Sequence, residues 1–124
     1  FLLAEDNEIN MEIAEFYLTD LGATVSKVWN GKEALETFEA SEPGSYDVIL
    51  MDVMMPEMDG HEATQRIRAL KRPDTQTVRI VAMTAQTSED SIQKCLDAGM
   101  DGHIAKPINE EKILSALHKN IETE

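Results

Sequence analysis

The chain alternates between two hydrophobic periods, and no other feature restricts its fold as much. Short apolar runs fall at Phe1–Ala4, Ala23–Val28, Asp47–Met51, Val78–Met83 and Gly102–Ala105. Runs this short fit buried strands. Between and after them lie stretches with helical spacing. These carry Ile9, Ile13, Phe16, Tyr17 and Leu21; Ala34, Leu35 and Phe38; Ala63, Thr64, Ile67 and Leu70; Ile92, Cys95 and Leu96; and Ile113, Leu114, Leu117 and Ile121. A βα unit repeated five times predicts a doubly wound α/β domain, a five-stranded parallel sheet with helices on both faces. The third and fourth runs are continuously apolar, as strands buried on both faces are. One domain, residues 1–124, accounts for the whole sequence.

The punctuation agrees. Leu21-Gly22 ends the first helix. Asn30 can cap the second, with Glu33 three residues on; Asn30-Gly31 also fits a hairpin turn, against which the helical pattern that follows argues. Ser41-Glu42-Pro43-Gly44-Ser45 and Lys71-Arg72-Pro73-Asp74 read as loops. Thr87 or Ser88 opens the fourth helix, with Glu89 and Asp90 where the helix dipole favours acids. Asn109 opens the fifth in the same way. The chain begins at Phe1-Leu2-Leu3-Ala4, already within a strand and without methionine, so we expect a slightly shortened first strand and a longer parent.

Eleven basic residues face 24 acidic ones, a net charge of -13. So acidic a surface repels phosphate backbones and anionic membranes, which argues against nucleic-acid binding and membrane contact. No run approaches the roughly 20 apolar residues of a membrane span, and no signal peptide is visible. A single cysteine, Cys95, excludes an internal disulfide. It falls on the apolar side of the pattern Ser88-Ile92-Cys95-Leu96-Gly99 and is expected in the core.

In a sheet of this kind ligands bind at the carboxyl ends of the strands. The first strand runs into Glu5-Asp6-Asn7. The third ends on Asp52 and passes into Val53-Met54-Met55-Pro56-Glu57-Met58-Asp59-Gly60. The fourth is followed by Thr84-Ala85 and the fifth by Lys106-Pro107. Three carboxylates, a hydroxyl and an ammonium therefore converge on one edge. Carboxylates so close together need help to stay charged. A hard divalent cation supplies it, because Mg²⁺ takes oxygen ligands and couples one or two carboxylates to phosphate oxygens. Lys106 would then add a second positive charge for a phosphoryl group, and Thr84 a hydrogen bond. Taken singly, each residue has a plainer reading as a cap, a turn residue or a solvated side chain. There is no glycine-rich nucleotide loop, no EF-hand and no nucleophile elbow. His61, His103 and His118 lack metal-ligand spacing.

Glu5-Asp6, the strand-end Asp52 followed by Met-Pro-x-Met-Asp-Gly, Met83-Thr84-Ala85 and Lys106-Pro107 resemble the receiver domain of two-component response regulators. The likeness spans essentially the whole chain. The strings EDNEIN and MDGHEATQRIR look most like receivers attached to hybrid sensor histidine kinases. The resemblance implies a flavodoxin-like strand order, 2-1-3-4-5, and Asp52 as phosphoacceptor. It implies Mg²⁺, for which Mn²⁺ could substitute, held by Glu5, Asp6, Asp52 and the Met54 backbone carbonyl. Thr84 and Lys106 would contact the phosphoryl group, and Lys106-Pro107 would be joined by a cis peptide bond. The donor would be the phosphohistidine of a histidine kinase or of a histidine phosphotransfer protein. The first helix would dock that donor. The output face would be built from the fourth helix, the fifth strand and the fifth helix. Catalysis would be confined to the domain's own phosphorylation and dephosphorylation, in the cytoplasm, with a parent that could be membrane-anchored. Glu5 stands where the family often has aspartate. His103 stands at the family's switch aromatic, paired in function with Thr84. Met54 and Gln86 occupy positions that tune the phosphoryl lifetime.

Readings from other classes use the same residues. A Mg²⁺-dependent phosphohydrolase would want a cap or substrate pocket, for which the loops are too short. A docking module that is never phosphorylated usually lacks the aspartate or the lysine. A flavin module would want a Ser/Thr/Gly-rich loop after the first strand.

Overall fold

The computed structural model describes residues 1–55, 57–75, 77–85, 88–106 and 108–115. Five strands form one parallel sheet: β1 (Leu2–Ala4), β2 (Ser26–Val28), β3 (Val48–Asp52), β4 (Arg79–Thr84) and β5 (Gly102–Ala105). Their order is β2-β1-β3-β4-β5, which is the doubly wound architecture expected. The helices are α1 (Glu8–Asp20), α2 (Gly31–Ala40), α3 (Gly60–Arg68) and α4 (Glu89–Ala98), and residues 110–115 are helical as well. Four of the five strands differ from their apolar runs by one to three residues and β5 matches its run; β1 and β2 have three residues each, and Thr84 is the last residue of β4 instead of the first after it. Among the described residues no helix is long and apolar enough to cross a membrane.

Strand alternation divides the core in two. Ile49 and Met51 of β3 join Leu2, Ile80, Phe38 and Ile67 on the face covered by α2, α3 and α4. Val48 and Leu50 join Leu3, Val81, Met11, Leu18 and Ile113 on the face covered by α1 and the last helical segment. Central β3 is buried at all five positions, which explains its unbroken apolar run.

The helix starts are capped by side chains. Asn7 Oδ1 accepts from the Asn10 N–H, Asn30 from Glu33, Asp59 from Glu62, Ser88 from Ser91 and Asn109 from Lys112. Asn30 is therefore a cap and not part of a hairpin, and Glu33 reaches back to the Trp29 N–H at 2.8 Å. Gly22, just beyond α1, has φ +88°, a left-handed turn that glycine adopts without strain.

Two apolar surfaces differ from expectation. On α1 the residues turned to the sheet are Met11, Ala14 and Leu18. Ile9 and Phe16 are 68% and 64% exposed, and Ile13 is 39% exposed. The helix carries two apolar stripes, and the one that contains Met11, Ala14 and Leu18 is packed in the core with Leu3 and Leu50. On α4, Cys95 is buried as expected, but its neighbour Leu96 is half exposed.

Leu18→Ala should therefore cost about 2–5 kcal/mol of stability through the cavity it leaves. Phe16→Ala should stay within about 0.5–1 kcal/mol of the wild type. Urea denaturation of both variants checks which stripe is core.

Candidate functional site

The carboxyl edge of the sheet gathers the ionisable residues that end the strands. The Glu5 N–H donates to the Val28 carbonyl at 3.2 Å, carrying the β1–β2 pairing one residue beyond β1. That places the Glu5 carboxylate inside the protein, 1% exposed. Asp52 is the last residue of β3 and is 4% exposed. Lys106 follows β5, and its N–H donates to the Thr84 carbonyl at 2.8 Å. Asp6 lies at the surface.

One ammonium joins the two buried acids. Lys106 Nζ lies 3.0 Å from Glu5 Oε2 and 3.1 Å from Asp52 Oδ2. Glu5 Oε1 also accepts from the Asn7 N–H at 3.2 Å, and Asp52 Oδ1 from the Met54 N–H at 3.3 Å. Glu5 Oε2 has only the ion pair; no donor is aligned on it as a hydrogen bond. Oxygens of Glu5, Asp6 and Asp52 lie within 4.8 Å of one another.

The protonation energetics follow from this crowding. Burial, and then the negative charge of Glu5, push the Asp52 carboxyl up to about 6; Lys106 and the Met54 N–H oppose the rise without cancelling it. For Lys106, burial pulls downward, but hydrogen bonds and charge from Glu5 and Asp52 outweigh it and hold the ammonium above its usual range. Three carboxylates against one ammonium leave two uncompensated negative charges. A divalent cation matches that deficit, and the unaligned Glu5 oxygen offers it a lone pair. Oxygen donors suit Mg²⁺, so the residues present fit the metal.

The loop after β3 is braced by backbone contacts. Val53 N–H donates to the Met83 carbonyl at 3.2 Å, and Gly60 N–H donates to the Val53 carbonyl at 3.0 Å. A Cβ on Gly60 would overlap the Asp52 carbonyl oxygen, so α3 starts directly against the strand end. Glu57 takes the left-handed φ of +66°. The Met54 side chain is 74% exposed.

Thr84 is buried at the end of β4. Together with Val53, Met54, Ala85, His61 and Cys95 it lines a cavity of about 260 Å³ between α3 and α4. Cys95 Sγ contacts His61 Nε2 at 3.5 Å there, and burial pushes the thiol up, as suits a packing residue. His103 is exposed on β5, two residues before Ala105, the partner of Thr84 in the ladder. Gln86 and Pro107, hence the lifetime-tuning glutamine and the cis peptide, lie outside the described residues, as do Thr87, Leu117, His118 and Ile121. The sequence placed Gly60 in the motif that follows Asp52, but not its close contact with the Asp52 carbonyl, which has no signature in the residue string.

A 2-1-3-4-5 parallel sheet with an acidic cluster and a lysine at its carboxyl edge defines a receiver-type α/β module. The chain belongs to the response regulator receiver domain family, which it matches over residues 1–118. It is 41% identical over 128 aligned positions to probable histidine kinase 2 of Oryza sativa subsp. indica, covering 94% of this chain. It is 38% identical to hybrid signal transduction histidine kinase L of Dictyostelium discoideum, covering 95% of this chain. It spans only 12% and 7% of those two relatives. Among solved structures it is similar to the receiver domain of a sensor histidine kinase from Pseudomonas aeruginosa PAO1, which has a magnesium ion coordinated in its active site cleft. The TM-score is 0.84 and the identity 36%, over 95% of this chain and 93% of that one. A chemotaxis protein of Vibrio cholerae gives a TM-score of 0.85 at 29% identity, over 95% and 94% of the two chains. The chain is thus a receiver domain of the kind found in histidine kinases and response regulators, a phosphorelay module.

The raised Asp52 value has a definite sign. Below about pH 4 the carboxyl is protonated in both folded and unfolded chains. As pH rises towards 6, only the unfolded chain ionises freely, so the fold loses stability and the full penalty persists above that. Asp52→Asn should therefore stabilise the metal-free domain near neutral pH, by on the order of 1–2 kcal/mol. The difference should vanish at acid pH. Melting curves in chelator at both pH values test it.

Proposed function

We propose that Asp52 is the phosphoacceptor of this receiver, taking a phosphoryl group from a phosphohistidine. The observation that carries this reading is Lys106 Nζ bridging Glu5 and Asp52 at the end of the buried strand β3. An in-line transfer needs a carboxylate held still. The five buried residues of β3 provide that rigidity. An Asp52 oxygen forms the new P–O bond while the P–N bond to the donor imidazole breaks; the imidazole, protonated on its other ring nitrogen, keeps the electron pair and leaves neutral. Lys106 stays protonated through the step and stabilises charge on the phosphoryl oxygens, and Thr84 donates a hydrogen bond to one of them. Glu5, Asp6, Asp52 and the Met54 carbonyl would hold Mg²⁺, or Mn²⁺ in its place. When bound, the metal supplies neutralisation of the phosphoryl charge.

Once Lys106 turns to the phosphoryl group, its bonds to Asp52 and Glu5 are redistributed. Thr84 then moves inward, and His103, two residues from its ladder partner, follows in the switch position. The output would pass through α4, β5 and the last helix. Gln86 and Met54 would set how long the acyl phosphate survives.

The donor would be a histidine kinase or a histidine phosphotransfer protein docking on α1. Ile9, Ile13 and Phe16 form its exposed apolar stripe, and Glu8, Glu12 and Glu15 stand on the same helix. A donor helix with an apolar face flanked by lysine or arginine complements it. The kinase relatives, of which the chain spans 12% and 7%, support reading it as one module of a longer hybrid kinase; that the module acts in the cytoplasm is part of the same proposal.

Incubation with acetyl phosphate and Mg²⁺ should add one phosphoryl group by intact mass. Asp52→Asn or chelator should abolish the gain, and Lys106→Ala should slow it by at least tenfold. Modification that persists in Asp52→Asn would remove Asp52 from the role.

A further inference from the structure

Gly31 touches the far end of the β3–α3 loop at Met58, and its placement calls for an explanation. It is the first residue of α2, and it is buried. Its φ is not among the positive ones, so backbone freedom does not demand glycine here. Space does. A Cβ at this position would overlap the Met58 carbonyl oxygen and sit 2.9 Å from both the Met58 carbonyl carbon and the Asp59 carbonyl oxygen. The Gly31 N–H donates to that same Met58 oxygen at 3.0 Å. The neighbouring polar groups have other partners. Glu33 N–H is satisfied by Asn30 Oδ1, and Trp29 N–H by Glu33 Oε1. The positive end of α2 thus presents its first amide to one loop carbonyl at backbone contact distance.

The loop is pinned at its other end by Val53, through Met83 and Gly60. Met54 lies between the two anchors, with its N–H on Asp52 Oδ1. The left-handed Glu57 immediately precedes Met58, so the Gly31 contact adjoins a residue in a strained backbone conformation. From this geometry we infer that Gly31 is a positioning residue for the divalent-cation site: the bare Cα at the start of α2 sets the path of the β3–α3 loop, and with it the direction of the Met54 carbonyl. The inference rests on the Mg²⁺ reading of the Asp52 cluster.

The test is Mg²⁺ affinity without any phosphoryl donor, followed by amide shift titration of Gly31→Ala. Gly22→Ala serves as the control, since Gly22 has φ +88° but nothing within 4 Å of an added Cβ. That control should lose stability through backbone strain alone. Gly31→Ala should weaken Mg²⁺ binding by about tenfold, the size seen when groups supporting metal ligands are altered. Gly22→Ala should stay within about twofold of the wild type, however far its melting point falls. A folded Gly31→Ala with wild-type affinity overturns the inference, as does an equal loss in Gly22→Ala.

If Gly31→Ala does not fold, the wild type decides. Linkage requires that a loop which supports the metal be supported by it in return. Mg²⁺ should slow hydrogen exchange of the Gly31 amide by at least severalfold, while the Gly22 amide, bonded to the Thr19 carbonyl at 3.0 Å, should not change. Unchanged exchange at Gly31 in Mg²⁺-bound protein overturns the inference alone. A wild type that takes up no Mg²⁺ overturns the metal reading as well.

Discussion

One ammonium holds two buried carboxylates at the end of the central strand, and much of the domain is arranged around that compromise. Lys106 Nζ reaches Glu5 and Asp52 at 3.0 and 3.1 Å. Removing two charges from water costs several kcal/mol each unless geometry repays it. Here the repayment is incomplete, because Glu5 Oε2 lacks an aligned donor and the Asp52 carboxyl is pushed up to about 6. A core built only for stability would place apolar side chains there. The incomplete compensation is what makes the edge attractive to a divalent cation, and only the bound cation, with Lys106, would make it hospitable to a group carrying several negative oxygens.

The opposite edge of the sheet is built to different rules. Arg68 donates to the carbonyls of Gly99, Thr75 and Val78 and pairs with Asp101 at 2.8 Å. Asp101 Oδ2 also accepts from the Ile80 N–H. Arg72 pairs through two nitrogens with Asp74, caps the Phe38 carbonyl and stacks over the Phe38 ring at 4.5 Å. Its guanidinium, followed by the Gly44 N–H, holds the Asp74 carboxyl below the usual range against the effect of burial. Both arginines are thus paired with a carboxylate, and the Arg72–Asp74 pair is bidentate, a geometry that lysine could not supply. They tie α2, α3, α4 and the sheet together where nothing needs to move.

These two edges also explain what could be read from the sequence. Strands were legible because β3 and β4 are apolar without interruption, and the strand-end residues Glu5, Asp6, Asp52 and Lys106 were legible because topology alone brings strand ends together. Periodicity could not tell which stripe of α1 is core: Ile9, Ile13 and Phe16 are at least as apolar as Met11 and Ala14, and the choice is made by which stripe packs with Leu3 and Leu50 of the sheet. Arg68 and Arg72 were hidden for another reason. Their partners are mainly backbone carbonyls up to 34 residues away, and a carbonyl has no sequence signature. Gly31 and Gly60 were visible as residues of a cap and of a motif, but the close contacts that require glycine at each were not, since those are defined by the backbone they touch.

A receiver has to move without unfolding, and the distribution of anchors shows how one domain does both. The amino end of the sheet is clasped by two arginines that join helices to strands through backbone carbonyls, so the helices cannot separate there. At the carboxyl end the β3–α3 loop is held by single amide contacts from Gly31, Gly60 and Val53, and the first turn of α4 is held by the Ser88 cap. Contacts of that kind are each worth about 1 kcal/mol. One charge-assisted contact to a phosphoryl group reaches a comparable size or more. On the proposed reading, redistribution of Lys106 would be large enough to tip the carboxyl-end loops between arrangements while the arginine contacts at the amino end stay made. The change would then be confined to the edge where the carboxylates lie, and α4, whose far end Arg68 holds through the Gly99 carbonyl, would be the element placed to carry it.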